Sequence, residues 1–568
     1  MPVMSYLKSH SFYLCAAFGI FSLGISEIST AAENCTGQFI PATGSYEFVR
    51  EGLNLENFTG TQIGQVHFTR LPIFDEQNPD EDNSLFQWAN RFHVLTQERT
   101  VEQQLLFVVG DSYDSRILQE SARLLRSQGF FYDAAIRPVS QCNGEIDVEV
   151  ITKDNWSFTP SASFDRSGGE NTYSFGLREA NLFGLGKELG ISDSKDSDRE
   201  STELTYKDNN VMGTRIRNRT TLIDSDDGST QSFNIDLPFF SLDSRRAWAL
   251  QLENQERRDE QFFRGDDVSE VEHEIQDYSF EYGFSQGLIN NSARRWSVGY
   301  RYRKDEFARS DELPPPATFP LDKEVSYPYL KFESVENNYA TAFNLDQIYR
   351  TEDLHLGMNV MNRIGYAAER FGSDQNRLVI DGHFSDTLLY DDHMLWQHSL
   401  TWEGMWNTDS DKAEDLVITY GTRYFLRQSD RTSFFASIEA VYSKNLNSHR
   451  QVVLGGETGA RAFDNRFQVG DRSILLTLEE RLYTDIHLWN LIRVGGAVFV
   501  DVGRAWESGI DSGMEDDLLA DIGFGLRLAS SKAATGRIAH IDFAFPISNR
   551  NDPDVDSVQV AFTIKGSF

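Results

Sequence analysis

Val558-Gln559-Val560-Ala561-Phe562-Thr563-Ile564-Lys565-Gly566-Ser567-Phe568 ends the chain. Val558, Val560, Phe562 and Ile564 fall on one side of an extended backbone and Gln559, Ala561, Thr563 and Lys565 on the other, the two-residue period of a strand with one apolar face. The same division runs back to Trp156. Trp156, Phe158, Pro160, Ala162 and Phe164 alternate with small polar residues, as do Trp248, Leu250 and Leu252; Tyr278, Phe280, Tyr282 and Phe284; Trp296, Val298, Tyr300 and Tyr302; and Ile522, Phe524, Leu526 and Leu528. Polar runs such as Asp193 to Ser201 and Asp224 to Ser229 read as connectors. Roughly 410 residues follow position 155, and at about 10 membrane residues per strand plus long outer loops they predict about 16 antiparallel strands.

A membrane barrel also reconciles the composition. The chain has 568 residues, net charge −34, 41 Phe, 21 Tyr and 9 Trp. An acidic soluble protein has little use for so many rings, whereas a barrel needs aromatic girdles outside and polar groups within. The acidity disfavours nucleic acid as a partner. Lys8 and His10, the apolar run Phe12 to Ile25 and the small residues Ser29-Thr30-Ala31-Ala32 read as a secretory signal. No later stretch is long and apolar enough for a helical span. Cys15 would leave with the signal; Cys35 and Cys142 either pair in an oxidising compartment or stay as separate thiols.

Before the barrel, Ile63 to Lys153 reads as a small α+β unit. A strand holds Ile63, Val66, Phe68 and Leu71; a helix holds Leu85, Phe86, Trp88, Ala89, Phe92 and Leu95, behind Asn83 and Ser84 as caps. Thr100 with Gln103 suggests a capping box for a second helix. A further helix spans Ser115 to Gln128, capped by Asp114 and closed by Gly129, followed by strands at Tyr132 to Val139 and Ile146 to Ile151. Three strands with helices on one face leave edges that could accept a client strand or be covered by local loops.

The candidate site is the glycine-rich stretch from Leu454 to Asp471, with Gly455, Gly456 and Gly459 ahead of Arg461 and Phe463. Val498, Val500 and Val502 alternate with Phe499, Asp501 and Gly503 in a later strand. A bidentate Arg461–Asp501 pair would pin the loop to a barrel wall; otherwise the two are unrelated charges, one on an exposed loop. Other groupings read plainly. Gly184-Leu185-Gly186-Lys187-Glu188 lacks the full phosphate-loop pattern and is a hairpin connector, and alternate residues among Glu270, Glu272, His273 and Glu274 point apart on a strand. No nucleophile, base and orienting carboxylate come together, so neither an enzyme nor a cofactor is expected.

Together these features resemble the BamA/TamA superfamily of outer-membrane assembly and secretion barrels, with one POTRA domain ahead of the barrel. The resemblance rests on Gly455-Gly456, Arg461-Ala462-Phe463, Gly470-Asp471, Glu479 with Arg481, Phe499-Val500-Asp501-Val502-Gly503 and the terminal aromatic Phe568. The POTRA match rests on Gly110-Asp111-Ser112-Tyr113, Leu124-Leu125 and Gly129-Phe130-Phe131. It implies a mainly β fold: signal peptide 1–32, linker 33–61, POTRA-like periplasmic domain 62–154 and a 16-stranded antiparallel transmembrane barrel 155–568. In the family the arginine lies at the tip of the sixth outer loop and contacts the aspartate of a lumen-facing Asp-x-Gly strand. Arg461, Phe463, Asp501, Gly503, Glu479 and Arg481 are therefore the implied anchorage, although Ala462 stands where the family has glycine.

The implied function is insertion or export of unfolded clients received by the periplasmic domain; the alternatives are a dedicated secretion pore for one exoprotein and a passive channel. Implied partners are the outer-membrane bilayer with its lipopolysaccharide, unfolded client proteins, and periplasmic chaperones or accessory proteins of a Gram-negative bacterium. The seam would join Trp156, Phe158 and Pro160 to Val558, Val560, Phe562 and Phe568, where Pro160 lacks a ladder donor.

Overall fold

The computed structural model describes residues 35–36, 60–79, 81–196, 198–348, 351–509, 518–532 and 538–565, so the signal segment 1–32 and Phe568 lie outside the described residues. The N-terminal unit contains β1 (Cys35–Thr36), β2 (Gln62–Leu71), α1 (Ser84–Phe92), α2 (Glu98–Glu102), α3 (Ser115–Arg126), β3 (Phe131–Cys142) and β4 (Glu145–Asp154). Its sheet order is β1-β3-β4-β2, four strands rather than the expected three, because part of the segment read as linker pairs with β3. Cys35 stands opposite Cys142, which is disulfide-bonded. Val101, Leu118, Leu125, Phe131, Ile146 and Val148 form the buried core between sheet and helices.

Local chemistry sets the helix ends. Asn83 accepts from Phe86 N–H and Asp114 from Arg116 N–H, each satisfying a free donor of a first turn. The capping box expected at Thr100 is absent: α2 starts at Glu98, and the Thr100 hydroxyl instead donates to the carbonyl of Gly184. Helix α3 ends at Arg126, and Gly129 is not among the residues with positive φ.

Beyond the N-terminal unit, twenty described strands pair with their sequence neighbours, from Phe158–Ser167 to Gln559–Lys565. The excess over sixteen has a simple origin. Strand Lys187–Lys195 is followed by Glu200–Asp208, and Arg217–Ser225 by Gly228–Leu237, so most of the polar runs read as connectors is strand. Tight hairpins fit more strands into the same length. Outward residues form the apolar band: Phe280 pairs with Tyr300, Tyr282 with Val298 and Phe284 with Trp296, all of them exposed. Inward positions carry charge, as where Arg301 Nε donates to Asp277 at 2.9 Å.

The last strand meets the first through a single described pair, Phe562 opposite Arg166, so the seam is open elsewhere among the described residues. The first barrel strand starts at Phe158; Trp156 precedes it because its N–H donates to the carbonyl of Lys532 and its ring packs against the N-terminal unit. Pro160 lies in that strand opposite Leu177.

The N-terminal unit is held against one rim, called the near rim here. Asn181 Nδ2 donates to Thr96 Oγ1 at 2.7 Å, Arg215 Nη2 to the carbonyl of Leu105 at 2.6 Å, and Lys532 Nζ to Glu81 at 2.7 Å. Counted from the first hairpin, residues 445–471 are the eighth far-rim connection rather than the sixth, since fifteen strands precede it and five follow.

Candidate functional site

The far-rim loop turns inward. Val452–Leu454 pairs with Gln468–Gly470 as a small hairpin, and residues 455–467 form its tip. Two glycines are required. Gly455 has φ 136° and a Cβ there would lie 2.2 Å from the Asp464 carbonyl; Gly459 has φ 109° and a Cβ would lie 2.2 Å from Leu475. Gly456, also at positive φ, starts the short 3₁₀ turn Gly456–Thr458.

Arg461 sits among three carboxylates. Its Nε donates to Asp501 Oδ2 at 2.7 Å and its Nη2 to Asp501 Oδ1 at 3.2 Å, a bidentate fork. Nη2 also reaches Glu479 Oε1 at 3.1 Å, and Nη1 reaches Asp542 Oδ2 at 3.4 Å. The guanidinium lies 3.4 Å from the centroid of Phe499. Thr477 Oγ1 donates to Asp501 Oδ1 at 2.8 Å and Arg481 Nε to Glu479 Oε2 at 3.0 Å. Phe463 is buried with Leu454, Phe467, Phe499 and Leu519. Gly503 leaves the wall thin there, for a Cβ would meet Leu454 at 3.0 Å.

Ala462 is accommodated without strain. Ala460, with φ 56°, takes the left-handed conformation; Ala462 is not among the residues with positive φ, its methyl is buried, and its N–H donates to Asp521 Oδ2 at 3.2 Å.

Residues 181–568 match the Omp85 superfamily domain. The chain belongs to the Omp85 superfamily, whose members are outer-membrane β-barrels that insert or transport proteins. No curated protein matches it. Among solved structures it is similar to BamA from Haemophilus ducreyi lacking POTRA domains 1–3 (13% identity, TM-score 0.39, 89% of this chain and 85% of that one). It is also similar to CdiB from Acinetobacter baumannii (12%, 0.39, 89% and 73%) and CdiB from Escherichia coli (11%, 0.44, 89% and 76%).

Two features of this Omp85 chain escaped the sequence reading. The first is a bridge across the seam at the loop tip. Asn465 N–H donates to the carbonyl of Gly168 in the first hairpin at 3.1 Å, and Gln559 of the last strand donates to Asp464 Oδ1 at 2.9 Å. One loop thus holds both sides of the seam.

The second is a hairpin inside the barrel. The near-rim connection 337–358 carries strands Tyr339–Phe343 and Thr351–His355. Leu345 packs with Leu395, Phe425 and Phe435, and Ile348 with Tyr483, Ala497, Ala529 and Ile538, all on wall strands. Arg481 Nη1 donates to the carbonyl of Leu345 at 3.1 Å, and Arg423 pairs with Asp346. At the base Arg126 of α3 forks onto Asp353 at 2.7 and 2.6 Å, and the Arg123 guanidinium lies 4.0 Å from the Tyr339 ring centroid. A polar chain therefore runs from Arg461 through Glu479, Arg481 and the hairpin to Arg126. The available signal was length: 22 residues between two spanning strands exceed what a simple turn needs.

On the far side of the lumen, His273 lies between Asp259 at 2.6 Å and Asp305 at 3.0 Å, with Arg303 on Asp305 and Arg257 on Asp259. His449 joins Asp259 and His273 in the described group with donor atoms within 4.8 Å of one another, but the arginines make it an ion-pair network rather than an open ligand set. Glu272 and Glu274 point away from it, exposed.

Proposed function

We propose that the protein inserts client strands into the outer membrane at its seam, after its N-terminal unit, acting as a POTRA-like domain in the periplasm, has received them. The observation that carries this reading is that, among the described residues, a single backbone pair joins the first and last strands. Backbone groups cannot enter hydrocarbon unpaired, so a client strand gains by pairing with an open edge as it enters. Pro160, within the first strand, supports a weak edge because it has no N–H to donate.

The same geometry disfavours export through the lumen and a passive channel. Both routes pass through a lumen occupied in part by the 337–358 hairpin and the 454–471 loop, which the Arg461, Arg481 and Arg126 contacts hold in place. The test is the folding of a small outer-membrane barrel into liposomes with and without the reconstituted protein. Acceleration by the wild type supports insertion; no acceleration by demonstrably folded protein rejects it in favour of a dedicated exporter.

A further inference from the structure

Helix α1 has two apolar faces, and only one is used by the fold. Phe86 and Ala89 are buried against Ile73 and Phe74, with Trp156 and Leu491 of the barrel beside them. Leu85, Trp88 and Phe92, at the i, i+3, i+7 spacing of one stripe, are 57–64% exposed, and the Trp88 and Phe92 rings lie 4.3 Å apart. Val94, just beyond the helix, is exposed as well. The helix lies at the near rim beneath the seam: Leu491 is on one side of the seam and, past Thr96 and Gln97, Asn181 and Gly184 are on the other.

Three near-rim turns on the two sides of the seam share an unusual feature. Asn181-Leu182-Phe183-Gly184 and Asn210-Val211-Met212-Gly213 repeat one motif, with Phe183 at φ 56° and Met212 at φ 53°. The turn after Arg472–Leu488 places Trp489 at φ 52°. Left-handed backbone is disfavoured for bulky side chains. Yet these three are 66%, 95% and 75% exposed, so the protein itself supplies little packing in return. They continue the apolar band: Leu185 leads into Leu189 and Ile191 on one side of the seam, and Ile486 and Leu488 lead into Trp489 on the other, all exposed.

From this continuity we infer that Leu85, Trp88 and Phe92 of α1, with the turn tips Phe183, Met212 and Trp489, form an apolar foot seated in the phospholipid leaflet on the near-rim side, beneath the seam. Hydrocarbon at the headgroup boundary supplies the contacts that the strained tips lack, and Trp is favoured at that depth. The foot ties the N-terminal unit to the bilayer as well as to the barrel, whichever client the protein handles.

The test attaches an environment-sensitive fluorophore to single cysteines in the full mature chain, reconstituted in phospholipid vesicles with and without nitroxide on the acyl chains. The sites are Trp88→Cys and Met212→Cys, with Val498→Cys on the outward band and Glu102→Cys on α2 as references; all four positions are exposed. Labels at 88 and 212 are expected to be quenched by nitroxide lipid as strongly as the label at 498 and shielded from aqueous iodide, while 102 shows the reverse. Iodide quenching at 88 without nitroxide quenching overturns the proposal, whatever 212 shows. Shielding of 88 that appears only on adding a protein client also overturns it and assigns the stripe to a protein.

Discussion

At the residue scale, Arg461 and Glu352 make opposite demands on their surroundings. Arg461 is satisfied by Asp501, Glu479 and Asp542, and a buried pair that loses one partner leaves uncompensated charge, at a cost of about 3–5 kcal/mol. Arg461→Ala should therefore release the loop, seen as faster amide exchange over 454–471, and Arg461→Lys should fall between because it cannot form the fork on Asp501. Glu352, in the lumen hairpin and outside the spanning strands, accepts the N–H groups of Leu345, Asp346 and Gln347. Burial pushes its carboxyl from 4.5 up to about 7, against those hydrogen bonds. The raised value means the seated hairpin favours the neutral acid, so seating is strongest below the ordinary carboxylate range and weakens as pH rises through about 7. Amide protection across 339–355 should fall between about pH 5 and pH 8, and Glu352→Gln should flatten that dependence. Arg461 and Asp501 were legible because residue type and strand order survive in the sequence. Glu479, named there, and Asp542, not named, become partners of the same arginine only through register, and nothing local marks Gln559 as the last strand's link to the loop tip.

At the scale of elements, alternation located the strands but not their number. The first hairpins turn within two to four residues at 168–169, 196–199 and 226–227, and charged residues such as Asp193 and Glu200 look like loop although they lie in strands. The 337–358 hairpin was hidden for a related reason: Tyr339–Phe343 alternates like any barrel strand, and only the wall contacts of Leu345 and Ile348 reveal its place. Because those contacts seat the hairpin inside the lumen against one part of the wall, replacing 339–355 with a short Gly-Ser turn should leave the barrel folded and raise ion conductance in planar bilayers above that of the wild type. Unchanged conductance would mean that the far-rim loop alone seals the lumen.

Across the whole molecule the contacts form one line: the far-rim loop is held by Arg461, Arg481 joins the wall to the hairpin, and Arg126 joins the hairpin to the N-terminal unit. The loop tip also bridges the seam through Gly168 and Gln559. On the proposed function, a client segment that binds at the N-terminal unit and displaces Asp353 from Arg126 would act on the seam through this line. The central claim is that clients enter at the seam. It is tested most directly by locking the position paired among the described residues, Arg166→Cys with Phe562→Cys, whose Cα atoms face each other across the seam. Client folding into liposomes should stop in the oxidised double variant and return on reduction, while wild type treated in parallel is unaffected. Full activity in the locked, oxidised protein would contradict insertion at the seam.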